Sequence, residues 1–156
     1  MPRRGIPRRG AFKNRAEGIV DMEAIYSSAD FAFLDSSLKE LQQRVQSLLR
    51  KSGAPLQRQG LANLLDEVQQ AGRALAAGEG QDGFAVKDLE IFYYAVHAQR
   101  RRVDQFLDTA VCPADKRNDL VSAASAVNAL LRKLRADLEA KGGSVSAAVK
   151  RGASGA

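Results

Sequence analysis

The chain of 156 residues has no tryptophan, one cysteine, one histidine and four prolines. Each shortage removes a class of explanation. The lone Cys112 can neither close an internal disulfide nor build a multi-cysteine zinc site, and it suits a reducing compartment. With His97 the only imidazole, a bound metal would depend on carboxylates. No run approaches the roughly 20 apolar residues that a spanning helix requires. The basic N-terminus is followed by no apolar segment of the secretory type, so the chain does not read as a classical secreted protein. It shares an Arg-rich, acid-poor composition with organelle presequences, but not their serine enrichment. The expected setting is inside a cell, within an organelle or in a particle.

Aromatic residues make up only 6% of the chain, so Leu, Ala and Val must supply the core, which favours packed helices over a sheet sandwich. A hydrophobic share of 45% against 27% charged is that of a folded domain and not of a disordered chain.

The net charge of +6 is unevenly placed. Residues 1–15 hold Arg3, Arg4, Arg8, Arg9, Lys13 and Arg15 with no acid, and residues 141–156 hold Lys141, Lys150 and Arg151 with no acid. The stretch between them is therefore mildly acidic, at −3. At the very start, Pro-Arg-Arg-Gly is written twice around Ile6. Proline and glycine keep such a segment extended, and paired arginines suit phosphates through charge-assisted, often bidentate hydrogen bonds.

Between the tails the apolar residues step by three and four, which is helical and not strand-like spacing. Phe31, Leu34, Leu38, Leu41, Val45 and Leu48 form one stripe, with Asp30 as the expected N-cap and Ser37 and Glu40 as a capping box for a later start. Arg50 and Lys51 close that helix before Gly53 and Pro55. Pro55 opens a second, carrying Leu61, Leu64, Val68, Ala71 and Leu75, with Gly60 and Gly72 as candidate points of close approach. The GEGQDG run at 78–83 reads as a turn. A third helix is expected over 84–111, on Leu89, Phe92, Val96, Val103, Phe106 and Ala110, and ends at Cys112-Pro113. A fourth runs from Pro113 to Ala140 on Leu120, Ala124, Val127, Leu131, Leu134 and Leu138, and stops at Gly142-Gly143.

Short connections and seven-residue spacing predict an all-α protein: an antiparallel four-helix bundle over 30–141. A flexible basic N-terminal arm and docking segment would occupy 1–29, and a short flexible C-terminal tail 142–156.

Chemistry-bearing motifs are scarce. His97 lies one residue off its stripe with no carboxylate partner assigned by spacing. Cys112 reads as a buried, inert thiol. The pairs Asp88 and Glu90, Asp104 and Asp108, and Asp115 and Asp119 read as solvated acids. The Glu-x-x-His pairs of di-metal bundles do not occur, and GEGQDG lacks the features of a phosphate loop. Neither a catalytic constellation, a metal site nor an organic cofactor is expected. Tyr93 and Tyr94 are candidates for an exposed interface.

The remaining candidate residues are cationic. Arg3, Arg4, Arg8, Arg9, Lys13 and Arg15 are the expected contacts to nucleic acid or an acidic partner, with Arg100 and Arg101 as secondary contacts. The functional expectation is a non-enzymatic subunit of a large assembly. Its arm would contact nucleic acid while its helices contact other protein subunits. The alternative is a pure protein-assembly or accessory subunit of a virion, photosynthetic or respiratory complex, with the arm in an acidic groove.

Overall fold

A computed structural model of the chain describes residues 25–78, 83–109 and 113–155, excluding the side chains of 151–155. All regular structure among the described residues is helical. Five helices follow one another: α1 (Ser28–Lys51), α2 (Pro55–Ala77), α3 (Val86–Leu107), α4 (Ala114–Ala140) and α5 (Val145–Gly155). Residues 1–24, which include most of the expected arm and docking segment, lie outside the described residues, as does Cys112. The chain divides into one unit over Met1–Asp30 and a second over Phe31–Ala156.

In the first unit, Ser27 and not Asp30 is the N-cap of α1. The Ser27 Oγ accepts the Asp30 N–H at 3.1 Å, while the Asp30 carboxylate accepts the Ser27 N–H at 2.9 Å. This reciprocal capping satisfies two otherwise orphaned donors at once, so the helix starts earlier than the apolar stripe alone suggests. Ser37 falls inside α1, and Glu40 in the next turn bonds Arg102 on α3.

In the second unit the expected stripe of α2 and the middle of that of α1 form the core, while Phe31 is half-buried and Leu48 exposed. Leu34, Leu38, Leu41 and Val45 are buried from α1, and Leu61, Leu64, Val68, Ala71 and Leu75 from α2. The stripes of α3 and α4 are buried over only part of their length. Leu89, Phe92 and Val96 are enclosed, but Val103 is half-buried and Phe106 is 53% exposed. On α4, Val127, Leu131, Leu134 and Leu138 are buried, whereas Leu120 and Ala124 are only half-buried.

The residues expected to form a flexible C-terminal tail instead form α5. The Ser144 hydroxyl accepts the Ala147 N–H at 3.1 Å and caps its start. Ala148 is fully buried, and α5 packs against α2 and α3. Its small side chains permit that approach, which a periodicity of large residues could not reveal.

Three connections are fixed by cations on carbonyls. Arg58, in the first turn of α2, donates to the carbonyls of Leu49 at 2.6 Å and Ser52 at 3.1 Å, at the end of α1. Arg117, in the first turn of α4, donates to the Leu107 carbonyl at the end of α3 at 2.6 Å. Both satisfy carbonyls that a helix C-terminus leaves open. Lys141 donates to the Phe84 carbonyl at 2.7 Å and pairs with the buried Asp137 carboxylate at 3.2 Å. Phe84 lies just before α3 and outside it, edge-on to Phe31 at 6.1 Å and to Phe92 at 5.0 Å between ring centroids.

The end of α4 explains its paired glycines. Gly142 has φ +85°, and its N–H bonds the Glu139 carbonyl, while the Gly143 N–H bonds the Leu138 carbonyl at 2.8 Å. This is the Schellman closure of a helix. A Cβ on Gly143 would lie 2.9 Å from Leu138 Cδ2 and 3.0 Å from Val86 Cγ1. Gly72 is the opposite case: a Cβ there meets nothing within 4 Å, so no neighbour requires the glycine. Gly72→Ala should therefore raise stability by about 1 kcal/mol, seen as a melting temperature about 3 °C higher. Gly143→Ala should lower stability by about 1–3 kcal/mol through overpacking, measured in the same thermal melts.

Candidate functional site

The second half of α3 carries Arg100, Arg101 and Arg102 in succession, and helical geometry sends them in three directions. The Arg100 guanidinium holds Asp104 one turn on at 3.0–3.1 Å and donates to the Asn128 side-chain carbonyl on α4. Arg102 donates to the Glu40 carboxylate, tying α3 to α1. Arg101 is exposed and has no hydrogen-bond or ion-pair partner among the described residues. The run thus divides its work: two arginines join helices and one is available.

Two clefts adjoin Arg101. The first, of about 380 Å³, lies between α3 and α4 and is lined by Tyr93, His97, Arg100, Arg101, Asp104, Asn128, Leu131, Arg132 and Arg135. Arg135 is engaged by Glu139 at 3.2 Å, whereas Arg132 is exposed and has no partner among the described residues. The second, of about 190 Å³, lies between α1 and α3. Its lining includes Arg44, Tyr94, His97, Arg101 and Arg102. Arg44 is likewise exposed and unpartnered among the described residues.

His97 lies at the boundary of both clefts. Its ring stacks on Tyr93, one turn earlier, with centroids 6.0 Å apart and planes at 18°. Burial holds its pKa below the usual histidine value, and the adjacent positive charges of Arg101 and Arg100 press in the same direction. The imidazole is therefore neutral at pH 7, leaving the charge of the site to the guanidinium groups.

Placement corrects several expectations. Tyr93 is buried against His97 and not presented as an exposed interface residue, and Tyr94 is half-buried. Glu90 is buried at 7% exposure and not solvated, while Asp88 is partly buried, with a pKa raised by burial and pulled back by Lys87. Arg100 and Arg101 lie beside a common cleft, but only Arg101 retains an uncommitted guanidinium. Spacing alone left out Arg44 and Arg132, because each lies on another helix and reaches the site only through packing. Arg3, Arg4, Arg8, Arg9, Lys13 and Arg15 lie outside the described residues.

Among the described residues, no group of three His, Cys, Asp or Glu side chains could hold a metal ion, and no helix is long and apolar enough to cross a membrane.

The depressed His97 pKa sets a pH dependence. The unfolded chain takes up the histidine proton near pH 6.5, where the folded chain still resists it, so stability falls as pH drops through 6.5 toward the lower folded value. Asp88 acts oppositely, in a window that begins at its ordinary value of 3.8 and extends upward. Between pH 7.5 and 5.5 the melting temperature should fall, and His97→Gln should flatten that fall. An identical profile in the variant would assign the dependence to other groups.

Comparison of the chain with protein-family models, curated proteins and solved structures gives no match.

Proposed function

We propose that the protein is a non-enzymatic assembly subunit, in which a basic N-terminal arm engages nucleic acid and an antiparallel helical bundle makes the protein contacts. The observation that carries this reading is the segregation of charge. Six cations and no acid occupy residues 1–15, while residues 16–140 together carry −3. An arm of this composition, broken by Pro2, Gly5, Pro7 and Gly10, gains little by folding onto its own body and much by neutralising phosphates. Arg44, Arg101 and Arg132, which have no partner among the described residues, support the same preference for polyanions.

Exposed apolar side chains support the protein-contact half of the reading. Leu48 and Leu56 flank the connection closed by Arg58, and Phe106 and Val121 flank the one closed by Arg117. In an antiparallel arrangement both connections lie at one end, which then offers an apolar docking face beside arginine-capped helix termini.

Affinity for a mixed-sequence DNA duplex, measured across salt concentrations with the full chain, tests the arm. If all six cations engage phosphates, the arm contributes about 5 to the magnitude of the log–log slope. Changing Arg3, Arg4, Arg8 and Arg9 to Ala should remove about two-thirds of the arm's slope while leaving the thermal melt unchanged. Binding that ignores salt, or survives deletion of residues 1–15 undiminished, would overturn the arm's role. An arm that bound only an acidic protein would replace nucleic acid with a protein groove as its target.

A further inference from the structure

We propose that the clefts on either side of His97 form a second nucleic-acid anchor on the helical body, in which Arg101 and Arg132, continued by Arg44, hold backbone phosphates. This rests on the reading of the protein as a nucleic-acid-contacting subunit, but it stands on different residues.

Four guanidinium groups line the α3–α4 cleft against one carboxylate, Asp104. Arg100 is held by Asp104 and Asn128, and Arg135 by Glu139. The two uncommitted cations come from opposite walls, Arg101 from α3 and Arg132 from α4. Leaving adjacent arginines unpaired costs self-repulsion and brings no structural gain, unlike the neighbouring Arg102–Glu40 link. An anion placed between them relieves that repulsion. Asn128 uses its side-chain oxygen for Arg100, so its amide N–H groups remain for a ligand oxygen.

The shape favours a strand over a compact anion. Arg101 and His97 border both clefts, and Arg44 lines the second, so the unpaired cations run from α4 across α3 to α1. Such a strip matches successive phosphates along a backbone. The lining cations are all arginine, whose planar fork fits phosphate bidentately. His97 reports on occupancy. The charged groups around it are Arg100, Arg101, Arg102 and Asp104 on its own helix, Arg132 and Arg135 from α4, and Arg44 from α1. A phosphate among them offsets the positive field that opposes protonation, so binding should raise the imidazole pKa.

The test uses the full chain, the same DNA duplex and the proton resonances of the sole histidine ring. Arg101→Ala combined with Arg132→Ala should reduce the salt slope by about 1.8, two contacts' worth, with the arm intact. Arg50→Ala with Arg73→Ala, an equal loss of charge elsewhere, should leave the slope nearly unchanged. In the unaltered protein, duplex addition should shift the His97 resonances and raise their titration midpoint, and the cleft double variant should lose both effects. Unchanged slope and stationary His97 resonances would overturn the second anchor while leaving the arm's role intact. A slope sensitive to the cleft but not to the arm substitutions would reject the arm and retain the cleft. Poly-glutamate that displaces the duplex at equal charge concentration and reproduces the His97 shift would overturn the nucleic-acid assignment in favour of an acidic protein.

Discussion

The burial of the first half of α3 is the constraint on which the rest of the second unit depends. From Leu89 to Val96, every residue except Tyr94 is buried, including Glu90 and Tyr93. A helix enclosed on nearly all sides needs neighbours on several, and α2, α4 and α5 all pack against this one. Each fully buried large side chain stabilises the fold by about 1.5–3 kcal/mol, so these few turns outweigh any single polar link. Beyond Val96 the enclosure opens, and Arg100, Arg101 and Arg102 occupy the part of the helix that turns toward solvent. The basic surface therefore exists because the central helix is longer than the core that covers it.

The start of α3 is anchored at the junction where Phe84 packs between Phe31 and Phe92. Lys141 holds the Phe84 carbonyl from the end of α4, and Asp137 neutralises that lysine in a buried setting. A carboxylate at 7% exposure is costly unless paired, so this lysine also accounts for Asp137 being tolerated there. The Gly142-Gly143 closure then turns the chain into α5 within the space that Leu138 and Val86 leave. Cation-to-carbonyl links at Arg58, Arg117 and Lys141 share one logic. Each satisfies backbone oxygens where chain segments meet, which fixes the connections without requiring a larger core.

The four long helices were legible because their apolar spacing is local: Leu34 to Val45 and Val127 to Leu138 announce a buried face within their own segments. The helix α5 was hidden because its buried contact is made by Ala148, too small to give a periodic signal, although Ser144 after two glycines is a recognisable N-cap. The incomplete burial at Phe106 and Leu120 was also hidden, since spacing defines a face but not whether a neighbour extends far enough to cover it. The site was half legible. The arginine run was visible, but Glu40 lies 62 residues from Arg102 in the chain and Asn128 lies 28 from Arg100, so which guanidinium stays free is a property of packing alone.

Charge placement connects the fold to the proposed function. Residues 25–156, which hold all five helices, carry a net +3: residues 16–24 hold the −3, residues 25–140 balance, and residues 141–156 add three cations. Screening confines the reach of each charge to roughly 8 Å at physiological salt. On the proposed reading, a duplex would be held against the body where uncommitted cations locally outnumber acids. Around His97 that condition holds, because Asp104 is already engaged by Arg100 and Glu40 by Arg102, while Arg44, Arg101 and Arg132 have no such partner among the described residues. Neutral His97 adds no repulsion of its own at pH 7 and can accept a proton once an anion offsets the surrounding field. A strip of uncommitted arginines, on a body whose other charges largely balance, would restrict how a captured duplex lies against it. The arm would supply reach, and the strip would supply orientation, using cations that the packing of α1, α3 and α4 brings together.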